Sequence, residues 1–270
     1  MGVLISRLEM VMRAAGERWP FHIAPLVGDP RQGTVFLLDG IGGILLAPVN
    51  VRKGLQEAGV PFATYVYNWN WGLRGELLVD LIWLRRNRMQ GLRLARLLRR
   101  FHRENPGAPL HVIAFSGGTG IAVFAAEHLG PRVRIDTLIL CCSALSPEYP
   151  LANALEHVNR CYAFPSVRDV GFLKLGTTVF GTLDRRFGPA AGLVGFRPTA
   201  AGDTPDTLYG GKLRQIWWTD AMRRYGHHGH HVGSATVLFA QHVLAPLLTA
   251  PHETSHGKPS PRTASCPPTL

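Results

Sequence analysis

Between Leu110 and Leu129 a mainly apolar run, LHVIAF, passes almost directly into a helical pattern of small and apolar residues, with only Ser116 and glycines between them. An apolar run without alternation fits a strand covered on both faces, as in a parallel sheet. A helix that opens at the very end of such a strand is the connection parallel strands require. The rest of the chain repeats this pattern. TVFLLD over 34–39 ends in Gly40-Ile41-Gly42-Gly43, and helical spacing follows through Val51, Leu55 and Ala58, with Gly59 as a stop. FATYVY over 62–67 is β-branched and aromatic, hence a second strand. An arginine-rich helix from Asn87 to His102 is closed by Asn105-Pro106-Gly107, and IDTLILCC over 135–142 is the fourth strand. Residues 159–164 and 213–219 predict two more strands, and residues 234–247 a final helix. The expected fold class is α/β, a mostly parallel sheet with helices on both faces.

The chain has 270 residues, 46% hydrophobic and 17% charged, which excludes wholesale disorder. Four cysteines are too few for a disulfide scaffold. Residues 1–33 read as an N-terminal helical segment: Met1 to Ala15 is amphipathic, carries Arg7, Glu9 and Arg13, and does not fit a signal peptide. Residues 34–250 read as the sheet domain, and 251–270, rich in Pro, Ser and Thr and containing Cys266, as a disordered tail. No apolar run reaches the ~18 residues of a membrane span, so a cytoplasmic location is expected. The net charge of +11 concentrates in one helix, where Arg85, Arg86, Arg88, Arg93, Arg96, Arg99, Arg100 and Arg103 occur with no acid among them. Leu94, Leu97, Leu98 and Phe101 form its apolar stripe, and Arg96, Arg99, Arg100 and Arg103 face away. That face reads as a solvated helix back, with weak contact to an anionic surface as its alternative; nucleic acid is not expected.

Ser116 is the residue with the most specific chemistry. Small residues two before and two after it, Ala114 and Gly118, permit a tight strand-to-helix turn that exposes the hydroxyl at a helix N-terminus. The N–H of Gly117 is then placed to face a developing oxyanion. A plain glycine turn and a phosphate site at Gly118-Thr119-Gly120 are the alternatives. A dinucleotide site is disfavoured, because the next strand ends in Cys141-Cys142-Ser143 instead of an acid.

From about Thr34 to Leu248 the chain resembles the α/β-hydrolase superfamily, and within it small bacterial esterase- or lipase-type serine hydrolases. The likeness lies in Ala114-Phe115-Ser116-Gly117-Gly118, in the glycine loop after an earlier strand, and in the order Ser, Asp, His. It implies a Ser116 nucleophile and an oxyanion hole from the N–H groups of Gly117 and Ile41, with Asp39 standing where many relatives have His. It implies an acid at Asp169, after the strand at 159–164, with Asp184 and Asp220 as alternatives. The implied base is His231, in Gly229-His230-His231-Val232, with His228 and then His227 as alternatives. Four histidines within 227–231 also suggest a metal site, but no Cys, Asp or Glu accompanies them at ligand spacing.

The implied reaction is acyl transfer from a small or lipid-like ester, with no cofactor or metal. No large cap fits between Cys142 and Asn159. Phe172, Leu173, Phe180, Phe187 and Phe196 are candidates to wall an acyl pocket, and Trp69, Trp71 and Trp83 either line its mouth or pack on the helices. A catalytically incomplete hydrolase-fold binding or scaffold protein is the alternative function. A third class uses the arginines to bind nucleic acid or membrane.

Overall fold

Eight strands form a single sheet in the order β1-β3-β2-β4-β5-β6-β8-β7. They are β1 (Leu26–Val27), β2 (Thr34–Leu38), β3 (Ala63–Tyr67), β4 (Leu110–Phe115), β5 (Ile135–Cys141), β6 (Val158–Phe164), β7 (Thr207–Leu208) and β8 (Leu213–Gln215). The inner pairs are all parallel, and only β1 on β3 and β7 on β8, at the two edges, run antiparallel. This computed structural model describes residues 25–70, 80, 82–170, 177, 181–197 and 202–250. The expected helix at Met1–Ala15, the 251–270 tail with Cys266, and Trp71, Phe172, Leu173 and Phe180 lie outside them.

Strand alternation feeds two separate cores. Val35 and Leu37 of β2, Ile113 and Phe115 of β4, and Ile139 and Cys141 of β5 face α1 (Leu46–Glu57) and the C-terminal helix. Phe36 and Leu38, Val112 and Ala114, and Leu138 and Leu140 face α2 (Leu84–Glu104) and α3 (Gly117–Ala126). Because both faces are covered, the central strands carry apolar residues on both sides, which is why they read as mainly apolar runs without alternation.

The elements expected from the sequence appear with small shifts at their ends. The strand foreseen over 213–219 pairs only to Gln215. Beyond it Ile216 N–H still reaches Ala163 O at 2.8 Å and Trp218 N–H reaches Pro165 O at 3.0 Å, but Pro165 has no N–H to return a bond. The last helix starts at Val237, where Thr236 caps the N–H of Phe239, and it widens to a π-turn over Ala240–Leu244. Pro246 one turn on cannot donate to the helix ladder, a known cause of such widening. β1 and β7 are two residues each, too short to leave a periodic signal. β1 also lies within the stretch read as a helical segment, so the sheet begins before residue 34.

Only Cys142 to His157 joins β5 to β6, with one short helix, Ala152–Leu155. Among the described residues no helix is long and apolar enough to cross a membrane. Leu98 of α2 is fully buried, whereas Arg96 two residues earlier is exposed. We expect Leu98→Ala to cost about 2–5 kcal/mol in denaturant unfolding and Arg96→Ala to change stability by less than about 0.5 kcal/mol. Equal effects would contradict the assigned facing of α2.

Candidate active site

The chain runs from β2 to β3 on one side, then returns past β2 to β4 and continues the other way, so the sheet has its switch point between β2 and β4. Ligands in open parallel sheets bind beyond the carboxyl ends of the strands at such a point. The two loops there are Asp39–Leu45, after β2, and the turn at Ser116, after β4.

Ser116 has φ 66° and ψ −116°, a conformation L-residues avoid. The flanking elements impose it. β4 is buried along its whole length, α3 starts at the next residue, and Ser116 N–H still bonds Cys141 O at 3.0 Å. Close approach demands glycine at 118, where a Cβ would stand 2.4 Å from the Asp39 carbonyl oxygen. Thr119 is turned inward: its hydroxyl bonds Ser116 O at 2.5 Å and meets Ser143 Oγ at 3.1 Å. It is thereby spent on the turn and does not project as a phosphate ligand.

The structure brings Ser116, His231 and Asp169 into one hydrogen-bonded chain. His231 Nε2 stands 2.9 Å from Ser116 Oγ, and its Nδ1 stands 2.6 Å from Asp169 Oδ2. Asp169 is buried and His231 half-buried. The loop after β6 and the loop after β8 are tied by Ser166, whose hydroxyl donates to Gly229 O at 2.7 Å, while Asp169 N–H closes a turn onto Ser166 O at 3.1 Å. Cys142 is also buried nearby; burial, with the Asp169 carboxylate second, holds its thiol well above the usual range and hence neutral.

The other candidates stand elsewhere. Asp184 accepts the N–H and hydroxyl of Ser146, and Asp220 pairs with Arg223 on the surface. His228 and His230 are exposed. His227 is buried with its ring edge-on to Phe239 at 5.0 Å, and its Nδ1 accepts the N–H of Gly229 at 3.2 Å. The histidines thus diverge, and among the described residues no three His, Cys, Asp or Glu side chains converge as a metal ion would need.

The Asp39–Leu45 loop lies directly against Ser116. A Cβ on Gly40 would come within 3.1 Å of Ser116 Cβ and 3.5 Å of its Oγ, and Ile41 packs on Gly117. The Gly117 N–H, at the first turn of α3, has no intrahelical acceptor. The Ile41 N–H bonds none of the described residues. Asp39 points back into its own loop, accepting the N–H of Gly40 at 2.9 Å and that of Leu45. Burial raises its carboxyl to about 6, against the opposing pull of those two N–H groups.

A polar frame behind this loop was not foreseen. Trp69, expected near the mouth or on the helices, is fully buried, and its Nε1 donates to Asp39 O at 2.8 Å. Asn70 Nδ2 donates to Gly40 O at 3.0 Å and to Asp80 Oδ2 at 2.8 Å, and Asp80 Oδ2 also accepts Gly42 N–H at 3.1 Å. Arg86 closes the frame, bonding Asp80 Oδ1 at 2.9 Å and Trp69 O at 2.7 Å. Of the arginines expected to face away, Arg96, Arg100 and Arg103 are exposed, with Arg100 paired to Glu104; outside that set Arg86 turns inward and Arg88 meets Glu127 at 3.6 Å. Arg99 is half-buried and bonds His128 O. The only clue in the sequence was an acid six residues before Arg86. Of the aromatics expected to wall a pocket, Phe187 is 69% exposed and Phe196 lies in the core; Trp83 is exposed.

No protein-family model matches the chain, and no curated protein matches it. Function must therefore be read from the site itself.

Burial lowers His227 to about 4, with His228 and His230 adding to the effect. A histidine depressed in the fold supports stability above about pH 6.5 and loses that support as pH falls toward 4, by about 3 kcal/mol. Asp39, raised in the fold, acts oppositely, its contribution lost as pH rises from about 4 through about 6. The two are separated by His227→Asn, which keeps an acceptor for Gly229. We expect this variant to be less stable than wild type at pH 8, with the gap narrowing toward pH 4. A gap independent of pH would contradict a neutral buried His227.

Proposed function

We propose that this chain is a serine carboxylic-ester hydrolase with the α/β-hydrolase fold. The observation that carries the reading is His231 bridging Ser116 Oγ and Asp169 Oδ2 at 2.9 and 2.6 Å. Three features support it: the strained Ser116 turn after a central strand, two unengaged N–H groups beside that hydroxyl, and an ordered glycine loop. These groups have the roles acyl transfer requires, namely nucleophile, base, base-orienting acid and oxyanion donors.

In this reading His231 Nε2 takes the Ser116 proton as Oγ attacks the ester carbonyl carbon. The carbonyl oxygen becomes an oxyanion facing the N–H groups of Gly117 and Ile41. Asp169 holds the imidazole in the tautomer with its proton on Nδ1 and stabilises the imidazolium. Collapse breaks the carbon–oxygen bond to the alcohol, which leaves with the proton from His231. Water then attacks the acyl group, His231 takes its proton, and Ser116 Oγ departs and regains that proton. The products are one carboxylic acid and one alcohol. No cofactor enters these steps.

The test is turnover of a panel of short and long p-nitrophenyl esters. We expect Ser116→Ala and His231→Ala to abolish it, and Asp169→Asn to lower kcat by about 10³- to 10⁴-fold. His228→Ala, Asp184→Asn and Asp220→Asn should stay within a few-fold of wild type. Turnover that survives Ser116→Ala, or no turnover by wild type on any ester, would overturn the proposal.

A further inference from the structure

The peptide between Gly40 and Ile41 carries two groups with different fates. Its carbonyl oxygen accepts Asn70 Nδ2 at 3.0 Å, and its N–H bonds none of the described residues. In a trans peptide these two groups lie in one plane and point to opposite sides. Whatever holds the Gly40 oxygen therefore aims the Ile41 N–H. Gly40, at one end of this peptide, stands beside Ser116, where a Cβ on it would lie 3.5 Å from Oγ, and the side chain of Ile41, at the other end, packs on Gly117.

Asn70 is itself held rigidly. Its amide nitrogen serves two acceptors at once, Gly40 O and Asp80 Oδ2, which uses both of its N–H donors. The Asp80 carboxylate is 2% exposed and the paired Arg86 side chain 12% exposed. Arg86 Nη2 reaches the carbonyl of Trp69, the residue before Asn70, and Asn87 Nδ2 holds Asp80 O at 2.6 Å. Burying an ion pair is costly and does little for stability by itself. Here both partners are spent on the backbone and side chain that fix one loop. We propose that Asn70, clamped by the Asp80–Arg86 pair, is a positioning residue that sets the direction of the Ile41 N–H toward the oxyanion. This rests on the hydrolase reading above, which names the donor but not what aims it.

A brace that serves only folding would affect stability alone, or substrate binding and turnover alike. A group that aims an oxyanion donor acts in the transition state, so it lowers kcat while leaving KM nearly unchanged. The experiment compares wild type, Asn70→Ala and Asn70→Leu, which has the branched shape of Asn but neither donor nor charge, on a p-nitrophenyl ester. An alkyl boronic acid, which forms a tetrahedral adduct on a serine, serves as the transition-state probe. We expect kcat to fall about 10- to 100-fold in both variants, with KM within about threefold. Boronate affinity should weaken by the same factor as kcat/KM. Unchanged kcat, or a raised KM at wild-type kcat, would overturn the positioning role while Ser116-dependent turnover by wild type kept the hydrolase reading intact. Wild-type turnover that does not depend on Ser116 would remove the hydrolase reading and this proposal together. If Asn70→Ala fails to fold, Asn70→Leu alone decides between these outcomes, since it keeps the branched shape of the side chain and sets no charge against Asp80.

Discussion

Everything at the candidate site depends on one strained backbone position. Ser116 sits at φ 66° and ψ −116° because a fully buried strand ends and a fully buried helix begins on either side of it. A conformation of that kind costs about 1–3 kcal/mol, and it persists only where surrounding packing over-determines it. Here the packing does so from three sides. Cys141 continues the ladder to the Ser116 N–H, Thr119 and Ala144 bond its carbonyl, and Gly118 admits the Asp39 carbonyl against the helix. The strain projects the hydroxyl clear of the sheet, where His231 can meet it.

The second arrangement depends on the first. With α3 pinned, the Asp39–Leu45 loop has a fixed wall, and its two ends are held by different means. Asp39 folds its carboxylate onto the loop's own N–H groups, while Trp69 and Asn70 take the carbonyl oxygens from behind. The loop is thus ordered by polar contacts in a buried place, where each one is stronger than it would be in water. The same loop contains the peptide whose N–H would face the oxyanion in the proposed reaction.

Much of this was legible in the sequence because parallel strands covered on both faces leave a plain signature. TVFLL, LHVIAF and IDTLILC are predominantly apolar without strict alternation, and each gave a strand within a residue or two. Ser116 was legible for a related reason: no residue other than a turn-former fits between LHVIAF and GIAVFAA. Asp169 and His231 were reachable only through chain order and the resemblance to a family, since neither residue carries a local pattern that excludes Asp184 or His228. The frame of Asn70, Asp80 and Arg86 left only one trace in the sequence, the acid six residues before Arg86. Its members are spread from the loop after β3 to the first turn of α2, and Arg86 looked like one more cation in a run of eight. A count of charges cannot tell which arginine of an amphipathic helix turns inward; that is decided by a single buried carboxylate across the fold.

In the proposed function Ser116 is a nucleophile activated by His231. The most direct measurement is reaction of the full chain with a fluorophosphonate probe, followed by peptide mapping of the adduct by mass spectrometry. We expect one phosphonyl group, on the peptide carrying Ser116, formed rapidly in wild type and much more slowly after His231→Ala. Absence of an adduct, or an adduct on a different residue, would contradict it.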